Sequence, residues 1–263
     1  MKNSTFYLFF LLFISSLMTT AQNENDYNTL KKYSNFGLNI SGVVYRKATF
    51  VADYGEYRVK SPSLPSFSFG FTYSIPIYRS WSIETGLNVI QEPDLFAEYE
   101  YLDGDLPEGF NYAYRNKVVE YNYFIPAIPI MAEYKWKIGV QSFMSFQSGF
   151  NLKFRVLSEG QYIESFNNQG TTIPTFTLNS YYKNRYFSSD FVLGLGYCYP
   201  FKSFLLKTTL FYNMSFNPIR IGEYRFSNLL ISPNSKGSFK LSGSYFGIQV
   251  SINFLKSKKV ERK

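Results

Sequence analysis

Asp103, Asp105 and Glu108 surround Gly104, and three carboxylates within six residues could together hold a hard cation such as calcium. Their spacing lacks the full ligand set of a calcium loop, so the plainer reading is a solvated, charged loop. Other chemistry is hard to assemble from this chain. It has no histidine, which removes the commonest general base, metal ligand and triad member together. Serines are plentiful, but no G-x-S-x-G elbow accompanies them. Close carboxylates occur only in the stretch 92–120, where nothing holds them at a working separation. The sequence therefore predicts no enzyme, no catalytic residues and no cofactor.

A second set of charges lies inside patterned segments. Glu84, Glu133 and Lys207 fall near one end of the predicted strands, and Lys153, Arg155 and Asp190 near the other. Each group mixes signs, as charges sharing a buried space must. They predict a packed polar interior with salt bridges; a proton or ion path is the sharper alternative.

The elements that would position these charges are strands. In 138–156 one parity holds Val140, Met144, Phe146, Phe150, Leu152, Phe154 and Val156. The other holds Gln141, Ser145, Gln147, Asn151, Lys153 and Arg155, with Phe143 the exception. Alternate side chains of a strand point to opposite faces, so the segment has one greasy and one wet face. The same period predicts strands at about 35–46, 65–77, 81–91, 187–199, 204–216 and 240–254. The strand at 119–136 contains Pro126 and Pro129, which predicts a bulge or bent wall.

Joins near Tyr78 to Ser80, Lys137 and Phe201 to Ser203 are short; those at 47–64, 92–118, 157–186 and 217–239 are long. An even strand number with alternating short and long joins is the outer-membrane arrangement. The fold class is all-β: an eight-stranded antiparallel up-and-down transmembrane β-barrel, with short periplasmic turns and four long extracellular loops. Aromatics make up 21% of the chain, enough to supply two interfacial girdles. Tyr73, Tyr78, Trp81, Tyr134, Trp136, Tyr197, Tyr199, Phe201 and Phe204 would form the inner one; Tyr121, Phe154, Phe187, Tyr212 and Phe216 would form the outer. Eight tilted strands leave a lumen that side chains fill, so no stable conductance is expected.

Residues 1–21 read as a signal peptide, with Lys2, the apolar run Phe6 to Phe13 and cleavage after Ala21. A periplasmic segment 22–34, the barrel 35–254 and a basic periplasmic tail 255–263 would follow. The lone Cys198 excludes an internal disulfide and reads as a small wall residue. The stretch 92–120 is acidic, with eight carboxylates against two cations, while the rest of the chain is basic. The basic residues are scattered without a recognition motif, so no nucleic-acid partner is expected. Asn213 heads an N-x-S triplet, but inside a strand it is no glycosylation acceptor.

The stretch Asn122 to Pro126 (NYFIP), followed by Glu133 to Trp136 (EYKW), resembles a characteristic strand of the PorT-like outer-membrane β-barrels common in Bacteroidota. Where that family often has a glutamate, this chain has Phe124. Phe191 to Tyr197 (FVLGLGY) is similar to its glycine-rich strand. In the last strand, Tyr245, Gly247, Val250, Ile252 and Phe254 resemble the insertion signal read by the barrel assembly machinery. The resemblance implies integral residence in a bacterial outer membrane, among its lipids and lipopolysaccharide. The function expected is non-catalytic, an envelope-integrity or protein-secretion accessory role through partners. The alternative is a surface adhesin or ligand-binding protein acting through the long loops.

Overall fold

The computed structural model describes residues 29–55, 59–62, 64–107, 116–155, 160–168, 171–182 and 186–256. The expected signal peptide, Glu108 and most of the basic tail lie outside them. Among the described residues no helix is long and apolar enough to cross a membrane. Thirteen strands account for nearly everything else.

Eight of these strands close into a barrel: β1 (Tyr33–Tyr45), β3 (Leu64–Tyr78), β4 (Trp81–Glu100), β5 (Asn116–Lys137), β6 (Phe143–Phe154), β9 (Phe187–Pro200), β10 (Phe204–Ser215) and β13 (Tyr245–Leu255). Each pairs antiparallel with its neighbours in chain order, and β1 zips to β13 with Ile40 opposite Val250. Closure leaves no unpaired edge, the condition for a sheet standing in hydrocarbon, where each orphaned backbone group costs several kcal/mol. Polarity is inverted relative to a soluble barrel. Ile40, Phe69 and Leu210 are 59%, 47% and 59% exposed on the outside, while Asn39, Ser68 and Thr209 are buried within.

Aromatic contacts band the outer wall. At the short-turn end, Trp81 packs on Tyr134 at 5.0 Å and Phe201 on Phe204 at 4.7 Å. At the long-loop end, Phe154 meets Phe187 at 5.5 Å and Tyr212 meets Phe246 at 4.6 Å. The Tyr121 side chain lies outside those described.

Three expectations need correction. Residues 138–142 form a turn, with Val140 at 90% exposure, so the strand predicted from 138 begins at Phe143. The last barrel strand begins at Tyr245, not 240. Pro126 and Pro129 cause no register shift: Pro126 stays opposite Val89 and Pro129 opposite Asn151. Shifts in the barrel fall instead at Tyr33/Gly37, at Pro76/Tyr78 and, within β4, at Pro93/Leu95.

The larger difference is in the long joins. They carry β2 (Thr49–Tyr54), β7 (Gly160–Asn168), β8 (Thr171–Tyr182), β11 (Arg220–Phe226) and β12 (Ser235–Leu241), which form a second sheet in the order β2-β12-β11-β8-β7. β4 and β5 run 20 and 22 residues, against the roughly 9–11 that span a membrane. Their hairpin therefore projects about 30 Å past the wall. Its residues Ala97, Tyr99 and Tyr101 pack on Phe176, Leu178, Tyr224, Phe226 and Phe239 of the sheet, a dry core with Tyr99 and Phe176 stacked at 3.9 Å. A paired bridge between Lys60 and Glu98 ties the first long join to the same hairpin. The open edges, β2 and β7, each meet their neighbour across a register shift and carry an acid, Asp53 and Glu164. Both devices discourage edge-to-edge pairing.

Candidate functional site

The lumen gathers the predicted charges into two clusters, and each contains one further member that the strand pattern alone did not single out. At the short-turn end β10 places the Lys207 ammonium between Glu84 of β4 and Glu133 of β5; its Nζ lies 3.2 Å from Glu133 Oε1 and in direct contact with Glu84. Lys135, two residues along β5 and therefore on the same face, donates to the other Glu133 oxygen. Gln147 of β6 donates to both carboxylates at 3.3 Å. At the other end Lys153 Nζ lies 2.7 Å from Asp190 and 3.5 Å from Glu92. Arg155 forks onto Glu92, Nε at 2.5 Å and Nη2 at 2.8 Å, and Asn213 donates to Asp190 at 2.8 Å.

Glu92 was expected in a solvated acidic loop; it is 1% exposed inside the barrel. With Lys135 and Glu92 added, each cluster holds two cations and two anions. Buried charge is tolerated where it is balanced and hydrogen-bonded. Balance was the signal available in the sequence, because the three predicted members of either cluster leave one charge uncompensated.

Apolar layers stand at both ends of this polar column. Tyr45, Leu64, Ile219, Leu241 and Tyr245 meet at the long-loop mouth, with the Tyr45 and Tyr245 rings 4.7 Å apart. Lys153 Nζ sits 4.8 Å from the centre of the Tyr245 ring, an attraction of cation and ring face. Tyr33, Phe143, Cys198 and Leu205 form the layer at the other end, which seats Cys198 inside the wall, fully buried. Between them lies a cavity of about 50 Å³ beside Glu84, Gln147 and Asn151. A second, of about 100 Å³, opens at the short-turn end.

Above the long-loop mouth, Arg220 is buried at the base of the second sheet. Burial pushes its pKa down to about 9, which the negative charge of Glu92 opposes, so it remains cationic at neutral pH. Higher in the cap the Tyr99 hydroxyl donates to Glu164 at 2.5 Å, and Tyr101 bonds Thr175 at 2.9 Å. Burial first, then the bond to Glu164 and its charge, raise the Tyr99 pKa.

Of the cation candidate only Asp103 and Asp105 lie among the described residues, where no metal-holding group of carboxylates is found. Asp105 turns inward, fully buried, and both its carboxylate oxygens accept from Ser232, one from the backbone N–H at 2.7 Å and one from the hydroxyl at 2.9 Å. Asp103 faces outward, and Glu108 lies outside the described residues. Gly104, at φ 83°, occupies the left-handed region, and a Cβ there would collide with Ile231. The turn is thus a latch joining the β4–β5 hairpin to the 227–234 join. Of the insertion-signal residues, Tyr245 and Gly247 share the inward parity of β13, and Val250, Ile252 and Phe254 the outward one.

Residues 20–220 match the family described as outer membrane protein beta-barrel domain. A comparison with curated proteins found no match. Among solved structures the chain is similar to the outer membrane protein OprG from Pseudomonas aeruginosa (10% identity, TM-score 0.40, covering 85% of this chain and 98% of that one). It is also similar to Neisserial surface protein A (11%, 0.30, 82% and 97%) and to Ail, the attachment invasion locus protein of Yersinia pestis (8%, 0.31, 84% and 98%).

Proposed function

The chain belongs to the outer membrane protein beta-barrel domain family, an integral outer-membrane barrel, and on that basis we propose that it is a non-catalytic scaffold working through partners, in envelope integrity or protein secretion. The observation that carries this reading is the blocked lumen: two balanced charge clusters and an apolar layer at the long-loop mouth interrupt the path a channel would need, leaving only small cavities of about 50 and 100 Å³. Work then falls to the two faces. The wall suits outer-membrane lipids and lipopolysaccharide, and β13 suits recognition by the barrel assembly machinery during insertion. Kinship with the PorT-like barrels belongs to the same proposal and favours its secretion branch.

A second reading, a surface adhesin or ligand-binding protein, is favoured by the second sheet. Joins with their own dry core present a fixed surface, which binding to an external ligand needs. Excision of residues 160–182, which removes β7 and β8 while sparing Glu92 and the wall, separates the two. Lost secretion or detergent sensitivity in cells supports the accessory role. Lost ligand or surface binding with an intact envelope supports the adhesin.

A further inference from the structure

The two ends of the molecule differ in charge. Around the periplasmic end lie Lys31, Lys32, Arg79, Lys137, Lys202 and Lys256, and the lumen there adds Lys135 and Lys207. The only described carboxylates at that end are Glu84 and Glu133, already engaged by Lys135 and Lys207. At the outer end the described cations and carboxylates are near-equal in number. Lys31, Arg79 and Lys256 share the lining of the 100 Å³ cavity with Trp81 and with the paired Lys207, Lys135, Glu84 and Glu133, which leaves the lining net positive.

We propose that this periplasmic mouth is a docking site for an acidic peptide segment of a periplasmic partner. The inference rests on the partner-serving role above and names the chemistry of one partner. Shape decides against anionic lipid as the occupant. Headgroups stand outside the wall, whereas this positive lining surrounds a recess inside it, with Lys207 and Lys135 behind the rim. A carboxylate at the rim finds Arg79 and Lys256, above the lumen cluster in which Glu84 and Glu133 already balance Lys207 and Lys135. A low-dielectric wall around it strengthens the field and steers the approach of an acidic chain.

The test uses the full chain folded in zwitterionic nanodiscs and a fluorescent glutamate decapeptide as probe, read by polarisation. Wild-type protein is compared with Lys31→Gln/Arg79→Gln/Lys256→Gln and with an outer-end control, Lys47→Gln/Arg225→Gln/Lys240→Gln. The rim variant is expected to bind about tenfold more weakly in low salt, with the control unchanged, and wild-type binding to fall as salt rises. Heat-modified gel mobility verifies that each variant is folded. Equal loss in both variants, or no binding by wild type, overturns the proposal. So does a rim variant that loses only its enrichment of phosphatidylglycerol in mixed-lipid discs, since the cations would then serve the leaflet. Because binding is read outside cells, failure here is distinct from failure of the partner-serving role, which the secretion and envelope phenotypes test separately.

Discussion

Replacing Glu92 with glutamine distinguishes a solvated loop residue from a buried counter-ion. Glu92 takes both nitrogens of the Arg155 fork at 2.5 and 2.8 Å, with Lys153 at 3.5 Å, and its charge also acts on buried Arg220. Removing the charge leaves these cations facing Asp190 alone. Breaking a buried pair from one side costs about 3–5 kcal/mol. The amide oxygen still accepts one hydrogen bond, worth about 1 kcal/mol, so the net loss is about 3 kcal/mol. In lipid vesicles, urea unfolding followed by gel mobility reads that as a midpoint lowered by about 1–2 M for a slope of about 2–3 kcal/mol/M. Adding Arg155→Met should restore part of the loss, with a coupling of about 1.5–3 kcal/mol across the double-mutant cycle. A Glu92→Gln variant within about 0.5 kcal/mol of wild type, the range of ordinary surface substitutions, would refute the buried-counter-ion argument.

Phe176→Ala should cost the cap about 3–5 kcal/mol, seen as tryptic cleavage of the outer joins while the barrel keeps its heat-modifiable mobility. The raised Tyr99 pKa favours the neutral phenol in the folded cap. Its contribution is complete below the unfolded value near 10 and lost as pH rises beyond that. Tyr99→Phe should therefore flatten the alkaline rise in cap proteolysis that wild type shows. Cys198 should resist maleimide-polyethylene glycol until urea unfolds the barrel, and prompt labelling of folded protein would place it elsewhere. In planar bilayers the protein should give no reproducible large openings, because the two charge clusters and the apolar layer at the long-loop mouth block the lumen above its short-turn recess.

The barrel was legible because each strand repeats its alternation over 11 or more residues, which fixes both register and face. Phe36, Leu38 and Ile40 against Asn39 and Ser41 admit only one orientation in a membrane. The charge clusters were half legible. Lys153, Arg155 and Asp190 stood inside clean alternation, but Glu92 sat at the head of an acidic run, and composition overrode parity there. In fact Glu84, Ile90 and Glu92 share one face of β4, all of them buried. The latch was hidden for another reason: Asp105 and Ser232 are 127 residues apart, and no local pattern marks such a pair.

The cap was missed because alternation has no fixed sign. Phe176 and Leu178 in β8, Tyr224 and Phe226 in β11, and Gly237 and Phe239 in β12 keep period two as faithfully as the wall does. In the wall the surroundings are hydrocarbon, so the apolar parity faces out. Some 30 Å farther along, the surroundings are water, and the same parity must turn inward and find a partner. Strands of 6 to 12 residues cannot bury it alone, since an isolated hairpin is marginal in water. Five of them, set against the β4–β5 hairpin, can. That hairpin changes its burial pattern along its own length: Leu87 is exposed on the wall, whereas Ala97, Tyr99 and Tyr101, on the same odd parity, are buried in the cap. The register shift at Pro93/Leu95 lies between the two regimes. A bulge inserts one residue and re-aims the strand where its surroundings change. Deleting Asp94, the residue between the two registers, should therefore misalign Ala97, Tyr99 and Tyr101 with the cap while leaving the wall below Glu92 in place. Protease-sensitive outer joins on a barrel that still shifts on heating are the expected result, and an unaltered cap would show that the bulge has no such part.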